Sequence, residues 1–283
     1  MAAANLATKM ISLLAALLMA AVCSHAQDGN RQEVSGNPVR EQRARELWEL
    51  AIAAKGGRER LYAVRNLLIS IGKKHRTVKF AVFPDKFWQW ADSRPSPLGL
   101  NITMYNIEKQ LGYWDLGDGK PPTPRQNWKV PHGNLLWQQI MYLMETQWVK
   151  PVPYDFGEET LHGRIYDVVF TRVEGDKISY LLDKITHLPA AFRYHTLVDK
   201  KDRQGKTIAT VEVDDPIEFR EYTEVNGIQM PSQVSWSETL PFMPLTYQIN
   251  VEYDEQLFEQ PPSVAAGPDA WRKKPPPSPK PKQ

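Results

Sequence analysis

The sequence predicts an α+β protein built around one large antiparallel sheet. Three observations carry this. Apolar residues alternate with a period of two over most of the chain. An Asn226-Gly227 pair sits between two such runs. Only two long segments space their apolar residues as helices do.

The chain opens with "MAAANLATKMISLLAALLMAAVCSHAQ". A lone Lys9, an apolar run from Met10 to Val22 and a Ser24-His25-Ala26 site are the three parts of a secretory signal. The run is shorter than the roughly 20 residues a membrane helix needs. Cleavage is expected between Ala26 and Gln27, which makes residues 1–26 a signal peptide and the protein exported. Cys23 is the only cysteine, and Val22 before it is a poor match to a lipidation site, so lipid anchoring there is not expected. A mature chain from Gln27 then has no disulfide, no thiol nucleophile and no thiolate metal site.

Residues 27–39 read as a polar leader. In "VREQRARELWELAIAAKGG", Ala44, Leu47, Trp48, Leu50, Ala51 and Ala54 fall at helical spacing, and Gly56-Gly57 supplies the stop. A short second helix follows in "RERLYAVRNL". The period then changes to two. Leu67, Ile69 and Ile71 alternate. In "RTVKFAVFP", Val78, Phe80 and Val82 oppose Thr77, Lys79 and Ala81. "KFWQWAD" and two strands within 101–119 continue the pattern.

One strong apolar helix is expected near residues 134–149. Leu136, Ile140, Leu143, Met144 and Trp148 lie on one side, with Trp137 and Met141 beside them. Asn134 would be its N-cap, and Pro151 and Pro153 its stop. Strands return at about 161–173, 178–183, 190–198, 207–214, 217–225, 228–237 and 245–254. A two-residue Asn-Gly turn pairs Val225 with Ile228, Thr223 with Met230 and Phe219 with Val234. Ile228, Met230, Val234 and Trp236 then share one face, as do Leu245, Tyr247, Ile249, Val251 and Tyr253 in the last strand. One face is expected to be buried and the other wet. Residues 263–283 are rich in Pro and Lys and read as a disordered basic tail.

The formal charge of +2, from 35 basic and 33 acidic residues, leaves no overall nucleic-acid footprint. No phosphate loop, nucleophile elbow or histidine pair at metal-ligand spacing occurs. No catalytic residue, metal or cofactor is therefore assigned, and the expectation is a non-enzymatic protein. The informative excess is nine Trp and eight Met, which suit a deformable site for a chain-like apolar ligand. Burying about ten methylenes at ~0.8 kcal/mol each contributes roughly 8 kcal/mol before costs, with no polar chemistry required.

The order of features carries a resemblance. A signal precedes a helix ending in "AAKGG", then strands interrupted by one apolar helix. Tyr222, Val225-Asn226-Gly227-Ile228 with Pro231, and Phe258-Glu259-Gln260-Pro261 close the pattern. Over residues 40–262 this resembles the LolA/LolB-like superfamily of periplasmic lipoprotein carriers, especially the outer membrane lipoprotein-sorting type. The resemblance implies a half-open antiparallel β-barrel whose strongly curved sheet holds acyl chains under a helical lid.

The apolar wall expected for such a cavity is Phe80, Trp88, Trp137, Ile140, Met141, Met144, Trp148, Phe219, Met230, Trp236 and Ile249. Expected partners are lipid or lipoprotein acyl chains and an envelope membrane surface or protein, with the chain itself a monomer. The alternative is an envelope-associated scaffold with a filled core, docked on anionic surfaces by its tail from Arg272.

Overall fold

Alternation of apolar residues along successive strands yields one antiparallel sheet in the computed structural model. The model describes residues 37–273 except 74–75, 95–98, 125–128, 202–206, 214–215, 238 and 261–262. The predicted signal peptide, nearly all of the leader and the last ten residues of the tail lie outside the described residues.

Fourteen strands join in the order β6-β5-β4-β3-β2-β1-β14-β13-β12-β10-β9-β8-β7, with β11 on β10. The sheet is strongly curved and unclosed. Its first half is a meander: β1 (Asn66–Ile71), β2 (Thr77–Val82), β3 (Lys86–Asp92), β4 (Leu100–Asn106), β5 (Leu111–Asp115) and β6 (Thr123–Pro124). The second half comprises β7 (Val152–Leu161), β8 (Arg164–Val173), β9 (Asp176–Leu182), β10 (Pro189–Lys201), β11 (Thr207–Val213), β12 (Ile217–Val225) and β13 (Ile228–Ser235). The last strand, β14 (Met243–Ile249), returns to β1 and stitches the halves together, pairing Leu67 with Ile249, Ile69 with Tyr247 and Ile71 with Leu245. Among the described residues no helix is long and apolar enough to cross a membrane.

Helix α1 (Pro38–Ala54) starts at Asn37, whose side chain accepts from the Val39 amide at 3.0 Å, with Pro38 in the first turn. It buries Ala44, Leu47, Trp48, Ala51 and Ile52 and packs on β7 and β8. Leu50, expected inside, is 42% exposed. Helix α2 (Arg58–Tyr62) follows directly. Helix α3 (Lys129–Leu143) contacts β3 and β13. It begins and ends about five residues earlier than the apolar run suggests. Asn134 is therefore interior, not a cap. The helix ends where Met144 turns left-handed at φ 67°, well before Pro151. Trp148 lies beyond it.

The Asn-Gly hairpin has the expected register: Val225 opposite Ile228, Thr223 opposite Met230, Phe219 opposite Val234. Its turn is locked to the end of α1. The Gln229 amide donates to the Lys55 carbonyl at 2.9 Å, and the Lys55 ammonium donates to the Gln229 carbonyl. Gly56 has φ 120°, and a Cβ there would lie 2.2 Å from the Gly227 carbonyl oxygen. The "AAKGG" stop and the "NG" turn are thus two halves of one contact.

Two expectations for the strands are corrected. The strands expected after the apolar helix start only at about 161, so β7 (Val152–Leu161) is an addition to them. It is an outer strand of the sheet, where proline costs little, and α1 covers it. β14 was expected to run to Asp254. It stops at Ile249 because Asn250 adopts φ 56°. Asn250 Oδ1 accepts from the Arg65 and Asn66 amides at 2.7 and 3.3 Å, and its Nδ2 donates to the Ala63 carbonyl at 2.9 Å. This clamp carries the chain from one face of the sheet to the other.

The consequence is a core on each face of β1–β4, beside a third, smaller apolar cluster of Leu161, Tyr166, Val168, Leu181 and Ala191. The concave face packs α1, α3 and the inward residues of β1, β12, β13 and β14. The opposite face of β1–β4 buries Leu68, Val78, Phe80, Trp88, Trp90, Ile102 and Met104 beneath Phe258 and Trp271. A 3₁₀ turn at Glu255–Phe258 and Trp271, whose carbonyl accepts from the Asp254 amide at 3.0 Å, form this cover. Trp271, assigned by composition to a disordered tail, is 4% exposed.

Gly56→Ala should destabilise the fold by about 2–4 kcal/mol, combining backbone strain with overlap against the hairpin. Gly57, also at positive φ, has open space where a Cβ would go, so Gly57→Ala should cost clearly less. Urea unfolding of both variants checks the difference.

Candidate functional site

The concave core brings together nine of the eleven residues expected to line a cavity. Ile140, Met141, Met144, Phe219, Met230 and Ile249 are buried in it, while Trp137, Trp148 and Trp236 are half-buried against it. Trp137 meets Phe192 and Tyr194 edge-on, with ring centroids 5.2 and 4.7 Å away. Trp148 packs on Phe83 at 5.8 Å.

Phe80 and Trp88 are not part of this wall. They point from the other face of β2 and β3 into the second core. There Phe80 contacts Tyr253, Phe258 and Trp271. The expectation failed because it assumed that the apolar set Val78, Phe80, Val82 must face the helices. Both faces are buried, so alternation in β2 does not distinguish inside from outside.

The helix–sheet seam holds polar groups that sequence reasoning missed. Gln138 and Tyr142 lie four residues apart, on one face of α3. Tyr142 sits against Phe219 and Tyr247, at centroid distances of 6.4 and 5.8 Å. Among the described residues, Gln138 Oε1 and the hydroxyls of Tyr142 and Tyr247 are buried without a hydrogen-bond partner. Burial raises both tyrosines well above the usual phenol range, so they are neutral at all working pH values. The next tyrosine, Tyr222, does find an acceptor, the Pro189 carbonyl at 2.6 Å.

At the edge of the seam lies an anchoring cluster. Glu145, one residue past the left-handed Met144, has a side chain only 6% exposed. It accepts from Trp48 Nε1 at 3.0 Å, Arg58 Nε at 2.9 Å and the Tyr62 hydroxyl. Arg58 also bridges to Glu49 at 2.9 and 3.0 Å. One carboxylate thus ties α1, α2 and the turn after α3. Burial alone would raise the Glu145 carboxyl, but hydrogen bonds from Arg58, Tyr62 and Trp48 outweigh it and hold the group below its usual value. The same contact, after burial, pushes the Tyr62 phenol up to about 12.

Beside the cluster opens a cleft of about 440 Å³ between Arg45, Trp48, Arg58, Tyr62, Lys150 and Pro151. The signal for Glu145 was present in the sequence: it is the lone acid in the apolar run "IMYLMETQWV".

Lys79 is the other missed residue. It lies on the concave side of β2, in register with Ile69 of β1 and Gln89 of β3. It is 5% exposed, and its ammonium sits 5.3 Å from the Trp236 ring centroid.

A scan against protein-family models finds no match, and no curated protein matches the chain.

Glu145→Ala should cost about 3 kcal/mol at pH 7, because it strands Trp48, Tyr62 and part of Arg58. The Glu145 contribution is present above the ordinary carboxyl pKa of 4.5. It is lost as pH falls through the lower folded value. Wild type and variant should therefore converge in acid, as urea midpoints across pH would show. Tyr142→Phe and Tyr247→Phe remove unpaired buried hydroxyls, so each should leave the melting temperature unchanged or raise it, by up to about 1 kcal/mol of stability.

Proposed function

We propose that this protein is a periplasmic, non-enzymatic carrier or binder of lipid or lipoprotein acyl chains. On this reading it is a half-open barrel of the LolA/LolB-like kind, with α1 and α3 as its lid. The observation that carries the reading is the seam itself. An amphipathic and an apolar helix pack on one side of an unclosed sheet, and Gln138, Tyr142 and Tyr247 there carry three of the eight buried polar atoms left unpaired among the described residues. A permanent core normally pairs such groups. A surface that opens to exchange helix for cargo need not do so.

Magnitudes allow the exchange. Leu47, Trp48 and Ile52 on α1 contribute roughly 1.5–3 kcal/mol each by burial. An acyl chain that buries about ten methylenes returns roughly 8 kcal/mol. Glu145 would act as the catch that returns α1 and α2 to one closed position, since its donors come from both helices.

The filled scaffold keeps one observation in its favour: in this structure the helices occupy the concave face. On that reading Trp271 anchors the start of the basic segment.

Native mass spectrometry of protein purified without detergent, followed by lipid extraction, separates the two. A co-purifying acyl species, lost in a folded Trp137→Asp or Trp236→Asp variant, is the expected result. A mass equal to the bare chain, unchanged after incubation with lipids and acylated peptides, would sink the carrier.

A further inference from the structure

Lys79 is a buried lysine with no counter-ion among the described residues. Its neighbours follow from the register. Across the concave face Lys79 aligns with Ile69 of β1 and through it with Tyr247 of β14. In the other direction it aligns with Gln89 of β3 and then Thr103 of β4. Residues paired in this way share one face of a sheet. The row thus runs from the apolar seam under the helices to half-buried polar side chains toward the β5 edge, and Lys79 stands at the change.

Among the described residues its ammonium has no ion pair and no hydrogen bond, and it lies 5.3 Å from the Trp236 ring centroid. A cation–π contact offsets part of the cost of burying a charge, but an isolated buried ammonium remains unfavourable.

Lys55 shows the contrast. Equally buried, it donates to the Gln229 carbonyl and lies 5.3 Å from the Tyr222 ring centroid, and it ties the end of α1 to the hairpin. Lys55 has a structural reason to be inside. Lys79 caps no helix and bridges no elements through a hydrogen bond.

We propose that Lys79 is the head-group site of the concave face and takes the carboxylate or phosphate of an anionic amphiphile whose chain lies under α3. The site rests on the acyl-binding reading and narrows it to ligands with a negative head. Burial holds the lysine down at about 8, which still leaves it mostly protonated at neutral pH. A bound anion then supplies the missing counter-ion.

The test uses the mature full-length chain with laurate, dodecanol, acetate and inorganic phosphate, read by calorimetric titration and by thermal unfolding. Wild type should bind laurate at least tenfold tighter than dodecanol. Lys79→Met should remove that preference while raising the melting temperature of the ligand-free protein by about 2–4 °C, a gain that a merely structural lysine would not give. Lys79→Arg should keep the preference.

Equal binding of laurate and dodecanol by wild type, or an intact preference in Lys79→Met, overturns the Lys79 site and leaves the acyl carrier standing. Stabilisation by acetate or phosphate alone, without laurate binding, identifies a small-anion site and overturns the amphiphile. Failure of both laurate and dodecanol to bind overturns the acyl-binding reading itself.

Discussion

Burial of both faces of β1–β4 constrains everything around them. A sheet covered on two sides needs two covers, and the chain must cross from one to the other. The crossing is made at Asn250, where a left-handed residue and a reciprocal set of bonds with Arg65, Asn66 and Ala63 stop β14. Asn66 answers in kind, accepting from the Val251 amide and donating to its carbonyl. Tyr253, Phe258 and Trp271 can then close on Phe80. Without that reversal the period of two would carry Val251 and Tyr253 onto the concave side, and the second core would lie open.

Much of this was legible in the residues, and what was not has a physical cause. The hairpin register followed from Asn226-Gly227, because a two-residue turn fixes which residues oppose each other. The helix stop at Gly56-Gly57 followed from glycine's freedom at positive φ. Their contact with each other did not, since it joins residues distant in the chain. β7 was missed because an outer strand tolerates the prolines and glycine that break the pattern of a central one. The placement of Phe80 and Trp88 failed for the opposite reason. Their alternation is real, but with Thr77, Lys79 and Ala81 also covered, no wet face marks the outside. Phe219, Met230 and Ile249 share the core that holds the helices, as their strand patterns indicate.

The polar groups of the interior fall into two sets that differ in what satisfies them. Glu145, Lys55 and Tyr222 each have partners and each joins separate elements: α1 with α2, α1 with the hairpin, β12 with β10. These groups fix where the covers sit. Gln138, Tyr142 and Tyr247 carry buried polar atoms without partners among the described residues, on α3 and β14, and Lys79 on the neighbouring β2 side has no ion pair there. Other unpaired atoms among the described residues, on Trp88, Trp90, Thr171, His187 and Arg193, lie elsewhere in the fold.

This division matters for how the concave face can work. The satisfied groups fix where α1 and α2 sit, which on the carrier reading proposed above gives the helices a defined closed position. The unsatisfied groups of the concave face each cost free energy so long as only protein surrounds them. Removing the helices from the sheet would expose apolar side chains that water disfavours, and water alone would not favour the open form. A ligand that presents methylenes to the aromatic and methionine wall, and a charged or hydrogen-bonding head to the polar end of the row, answers both costs at once. A wholly apolar ligand would answer only the first, and a small ion only the second.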